Sequence, residues 1–105
     1  MIYFKENVYA DGISQEILEA INVAHDVFNS IGLPNIVITS LSDGQHLKNS
    51  KHYDNPCNAV DIRGRHLTIE IATRILEKIK EELGQDYDCI YHGKSPHFHI
   101  EYDPK

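Results

Sequence analysis

Pro96-His97-Phe98-His99-Ile100-Glu101-Tyr102 is the stretch whose reading decides the fold. In an extended strand successive side chains point to opposite faces. Phe98, Ile100 and Tyr102 then line an apolar face, and His97, His99 and Glu101 a polar one. Two imidazoles about 7 Å apart on one strand surface suit a metal ligand beside a second functional histidine. A strand so divided needs a core on one side only and leaves the other face open for chemistry.

Working outward, Tyr87-Asp88-Cys89-Ile90-Tyr91 reads as the preceding strand, with His92-Gly93-Lys94-Ser95-Pro96 turning the chain into an antiparallel hairpin. Asn58-Ala59-Val60-Asp61-Ile62-Arg63 alternates as well, with Val60 and Ile62 on one side and Ala59, Asp61 and Arg63 on the other. Gly64 ends that run. Thr68 can cap a helix whose apolar stripe is Ile69, Ala72, Ile75, Leu76, Ile79 and Leu83, with Glu70 and Arg74 as an i,i+4 pair and Gly84 as the stop. Earlier in the chain, Ile17, Leu18, Ile21, Ala24, Phe28 and Ile31 mark a helix over about 14–31. Asp11 or Ser14 can cap its start, and Gly32 with Pro34 closes it. Asn35 to Ser40 is a short β-branched run, read as a strand buried on both faces or nearly so. From Ser42 to Pro56 the chain is dense in Gly, Pro, Asn, Asp and Ser, the composition of a long loop. The expected fold is α+β: a small, mostly antiparallel sheet of about four strands covered by two helices.

The chain's 105 residues fit a single domain, 1–105, and the 41% hydrophobic and 25% charged fractions are those of a globular one. A formal net charge of −6 argues against a broad nucleic-acid footprint and against adsorption on anionic membranes. No basic start followed by an apolar run and no stretch of 18 apolar residues is present, so a chain made in the cytoplasm with no membrane insertion is expected. Cys57 and Cys89 are too few for a disulfide framework and read as reduced, buried side chains.

Zinc in a catalytic site takes three protein ligands and keeps a position for water, and His52, Asp61 and His99 can supply those ligands. Manganese or iron could occupy the same donors. His97, on the same face, is placed to act as general base or to hold a developing oxyanion, and Glu101 to accept a proton from an imidazole. His25 reads as a surface histidine, His66 and His92 as helix-start and turn residues, and Tyr91 as core packing.

The order of these motifs resembles a known family. Ser42 to His46 (Ser-Asp-Gly-x-His), Ser50-x-His52-Tyr53, Ala59-Val60-Asp61-Ile62-Arg63 and His97-x-His99 through Pro104 resemble the D-alanyl-D-alanine carboxypeptidase and endopeptidase family of zinc metallopeptidases. That family shares its core with hedgehog and lysostaphin-type domains, and the short phage and bacterial versions are the most similar. The resemblance runs from about Ile38 to the end. It implies His52, Asp61 and His99 as zinc ligands and His97 as the catalytic histidine, with Glu101 in support. It further implies peptidoglycan peptide as substrate, cut at an amide bond involving D-alanine, reached after lysis or from a phage particle; separately, a monomer is expected. His46, Ser50, Tyr53 and Arg63 are the candidates to bind substrate. Three features depart from the family pattern: Asp54-Asn55-Pro56 lengthens the loop, Cys57 stands where a glycine is usual, and Asp43 lies near the position of a substrate-gripping arginine. Carboxylate recognition then falls to Arg63, Arg65 or Lys51, and Arg63 is preferred because it shares a strand face with Asp61. The same departures admit a non-catalytic, zinc-stabilised binding module; a metal-free interaction domain is a third reading.

Overall fold

The structure, a computed structural model, describes residues 1–8, 12–41 and 57–105. In chain order the elements are β1 (Ile2–Phe4), α1 (Gln15–Ser30), β2 (Ile36–Ser40), β3 (Ala59–Arg63), α2 (Ile69–Leu83), β4 (Tyr87–His92) and β5 (His97–Tyr102). The strands form one sheet in the order β1-β2-β3-β5-β4. β1 pairs with β2 in parallel, and every other pairing is antiparallel. The fold is therefore α+β, with five strands where the sequence pattern showed about four. The added strand is β1, three residues long and half-buried to exposed, which carries no alternation for a pattern reading to detect. Its parallel pairing follows from α1, since two parallel strands need a crossover between them.

Ser14 caps α1 by accepting the Ile17 N–H, Thr68 caps α2 by accepting the Ile71 N–H, and Gly84 ends α2 at φ +83°. The helices pack on each other and on one face of the sheet. The α1 stripe is Ile17, Ala20, Ile21, Ala24, Val27 and Phe28, whereas Leu18 (48% exposed) and Ile31 (37%) flank it. In α2, Ala72, Ile75 and Ile79 are buried and Ile71, Leu76 and Leu83 pack beside them, while Ile69 is 65% exposed. Ile69 opens the helix and lies off the line that Ala72, Ile75 and Ile79 draw along it.

The core joins these stripes to Ile36, Ile38, Val60, Ile62, Cys89, Phe98 and Ile100. Phe28 and Phe98 meet edge to face at 5.9 Å, fastening α1 to β5. β2 is buried on one face only: Ile36 and Ile38 face the core, while Val37 and Thr39 are half-buried on the other side. Cys57 and Cys89 are free thiols, both buried. Before β3, Cys57 donates its N–H to Gly12 and accepts from the Ser14 N–H, so the start of β3 is tied to the entry of α1. Among the described residues no helix is long and apolar enough to cross a membrane.

Candidate active site

The open face of the sheet is a small grid. Cross-strand register places Ala59, Glu101 and Asp88 in one row, Asp61, His99 and Ile90 in the next, and Arg63, His97 and His92 in the third. Because β3 and β5 are antiparallel with Asp61 directly opposite His99, two residues 38 apart in sequence become neighbours.

His99 sits at the centre. Its Nδ1 lies 2.8 Å from Asp61 Oδ1 and its Nε2 lies 2.9 Å from Glu101 Oε1, and all three side chains are mostly buried, 15–25% exposed. A carboxylate only accepts hydrogen bonds, and a neutral imidazole carries one N–H. Two carboxylates on one ring therefore need a second positive centre: a second ring proton, or a cation on one nitrogen. With Nε2–H donated to Glu101, the Nδ1 lone pair and the Asp61 carboxylate face each other at a distance that is repulsive unless something positive lies between them. A metal-ligating histidine typically has this arrangement, its other nitrogen held by a carboxylate that fixes the tautomer. The donors fit zinc in chemical type, one imidazole nitrogen and one carboxylate oxygen.

His97 is held differently. Its Nδ1 donates to the Ser95 carbonyl at 2.8 Å, which leaves Nε2 as the accepting nitrogen of the neutral ring. Ser95 has φ +47°, so the turn before β5 aims that carbonyl at the ring. On its other side His97 stacks on His92, ring centroids 4.7 Å apart. His92 thus closes β4 as a strand residue and supports His97; it is not part of the turn. Tyr91 packs against Phe98 at 4.9 Å and His66 lies in the exposed turn before α2.

A cleft of about 450 Å³ opens beside these residues, lined by Asp61, Arg63, Arg65, His97, Thr39, Ser40 and Lys5, with Ser95 and Pro96 at its edge. Gly64, between the lining residues Arg63 and Arg65, donates its N–H to the Pro96 carbonyl at 2.9 Å. A Cβ on Gly64 would lie 2.9 Å from Tyr91 Cε1 and 3.4 Å from Phe98 Cε2.

The structure thus brings Asp61, His99 and Glu101 into contact and sets His97 and Arg63 on the same face. His46, Ser50, His52 and Tyr53 lie outside the described residues. The sequence reading missed Lys5, which follows the undetected strand β1, and Thr39, whose hydroxyl donates to the Asp61 carbonyl at 3.4 Å. The β-branched run 36–39 carried the signal for Thr39; nothing in the sequence marked Lys5. A second group of ligand-type side chains, Asp88, Glu101 and Asp103, has donor oxygens within 4.8 Å of one another. It is all carboxylate, with Asp88 exposed and Glu101 and Asp103 between buried and exposed, and the Lys105 ammonium lies 3.3 Å from Asp88 and 3.5 Å from Asp103.

The chain matches no protein family and no curated protein with which it was compared.

Proposed function

We propose that this chain is a zinc-dependent peptidase that hydrolyses an amide bond in cell-wall peptide, with a bond involving D-alanine as the first choice. The observation that carries the reading is the His99 ring held between two carboxylates. Glu101 lies 2.9 Å from Nε2 and Asp61 2.8 Å from Nδ1, a setting that a cation on Nδ1 would satisfy, as would a second ring proton. The ordered motifs around Asp61 and His99 support the same reading. His52, from the segment outside the described residues, is the proposed third ligand on sequence grounds.

When bound, zinc lowers the pKa of a water toward ~7 and polarises a carbonyl. The chain's own residues supply the rest. Asp61 and His99 would hold the cation, and Glu101 would keep the His99 ring in the ligating tautomer. His97 offers Nε2 toward the cleft, where it can take a proton from the attacking water and return it to the leaving amine. Arg63 provides a donor for a substrate carbonyl or carboxylate. His46, Ser50 and Tyr53, outside the described residues, are proposed substrate contacts on sequence grounds alone.

A second reading, a zinc-stabilised binding module without turnover, is favoured by Cys57 at the usual glycine position, where it is fully buried. Digestion of purified muropeptides by the parent chain and by His97→Ala, with zinc content measured in both, separates the two. The peptidase reading expects product from the parent and a loss of about 10²–10⁴-fold in His97→Ala with zinc retained. No product from either zinc-loaded protein overturns the peptidase reading in favour of the module.

A further inference from the structure

The sheet ends on β4, and among the described residues no strand pairs with its outer side. Tyr87–His92 runs in unbroken register with β5, without the irregularity that interrupts β2 and β3, and carries no proline. Bulges and prolines are among the devices that keep an edge strand from accepting another. The opposite edge, β1, is only three residues long and offers little to pair with.

The hydrogen bonds at the end of the hairpin fix which backbone groups face outward. Asp103 donates its N–H to the Asp86 carbonyl at 2.8 Å, and Tyr102 donates to Asn58, on the β3 side, at 2.8 Å. Antiparallel pairing alternates, so Asp88, Ile90 and His92 exchange bonds with β5, while Cys89 and Tyr91 turn their N–H and C=O groups to the free side. Among the described residues no other backbone group takes up either N–H. On the open face of the same strand Asp88 and His92 flank Ile90, which is 47% exposed and has no part in the proposed chemistry.

This pattern is complementary to itself. Two β4 strands laid antiparallel about a two-fold axis at Ile90 set Ile90 against Ile90 and Asp88 against His92, once on each side of the axis. In that register Cys89 of each copy exchanges N–H and C=O bonds with Tyr91 of the other, the groups that point outward. Sliding the pairing by two residues either way sets Ile90 against Asp88 or against His92 instead. The Asp88 carboxylate is 49% exposed although Lys105 lies 3.3 Å away, and a carboxylate accepts several hydrogen bonds, so it keeps room for the imidazole.

We infer that β4 pairs with β4 of a second copy of this chain, antiparallel about Ile90, and joins the two sheets into one. The inference goes beyond the peptidase reading and rests on neither zinc nor turnover. It places Asp88 of the second copy beside His92, whose ring stacks on His97, so each copy borders the other's candidate active site. An edge of six residues buries less than the roughly 1,200–2,000 Å² of a stable interface, so the association is weak and reversible, with a Kd of about 10–100 µM. The monomer expected from the sequence is then the dilute form.

The test is sedimentation velocity of the full chain, in the presence of chelator, at concentrations from well below to well above that Kd, with amide hydrogen exchange followed by NMR at both ends of the range. A dimer is expected at the upper end. Exchange at the Cys89 and Tyr91 amides should slow several-fold there, while the Asp88 and Ile90 amides, already bonded to β5, change little. Ile90→Lys sets two ammonium groups opposite each other and should weaken the dimer at least about tenfold, with an unchanged far-UV circular dichroism spectrum. A monomer at every concentration, a dimer in which the Cys89 and Tyr91 amides exchange as in the monomer, or a folded Ile90→Lys that associates like the parent would overturn the inference. Exchange is read on the parent, so it decides the matter even if Ile90→Lys unfolds. Failure of zinc binding or of muropeptide cleavage leaves these readouts unaffected, so the two readings fall separately.

Discussion

At the scale of single residues, the site depends on how each polar group is held. His97 is oriented by a backbone carbonyl and His99 by two carboxylates, so side by side on one strand they present different nitrogens and suit different tasks. Glu101→Gln keeps the shape of the Glu101 side chain but removes its charge, and a zinc affinity lower by about 10–100-fold is expected from competition titration with a chelating dye. Gly64 is a second sensitive point. Gly64→Ala places a methyl against the Tyr91 ring and, at one remove, Phe98, so an unfolding free energy lower by about 1–3 kcal/mol is expected from denaturant titration. Tyr87 yields a pH prediction. Burial, and then Glu19 and Glu16, push its phenol from 10.0 up to about 12, while its hydroxyl donates to the Glu16 carbonyl. Below pH 10 the phenol is neutral whether the chain is folded or unfolded. Between 10 and about 12 the unfolded chain loses the proton first, so this contribution to stability falls as pH rises. Denaturant titrations across that window should show a shallower fall for Tyr87→Phe than for the parent.

At the scale of elements, β3 and β5 were legible because their alternation puts Val60, Ile62, Phe98 and Ile100 in the core and Asp61, Arg63, His97, His99 and Glu101 on the other face, whereas β4 was legible as a strand but its exposed Ile90 follows no such alternation. Both helices were legible from spacing and caps, and Ser14 and Thr68 do accept the expected N–H groups. Replacing either by Ala should cost about 1 kcal/mol, with Ser14 the more costly because it is buried, as measured by thermal unfolding. The finer assignments failed where a pattern cannot see packing. Leu18 and Ile69 are apolar but lie off the lines of their stripes, Ile31 falls just past the end of α1, and Ala20 and Val27 carry contacts that their modest size did not advertise. β1 was invisible because three residues offer no period, and with it went Lys5. The Asp61–His99 contact was readable as two polar strand faces, but their exact opposition is a matter of register, which is set by β3–β5 pairing across a separation of nearly forty residues.

At the scale of the whole molecule, the helices and core occupy one side of the sheet, and the grid of Asp61, Arg63, His92, His97, His99 and Glu101 the other. Apolar burial holds the fold, and the exposed face is left to chemistry. That division explains how an acidic chain can keep a basic cleft next to a carboxylate-flanked histidine. It also predicts that a divalent ion bound between Asp61 and His99 stabilises the folded chain, since only the fold brings the two together. The most direct measurement is calorimetric titration of zinc into the chelator-treated full chain, for the parent and for Asp61→Asn, which preserves size and removes the charge. The account predicts one zinc per chain for the parent and an affinity lower by about a hundredfold in Asp61→Asn. No binding by the parent, or equal binding by both because the ion sits at Asp88 and Asp103, would contradict it.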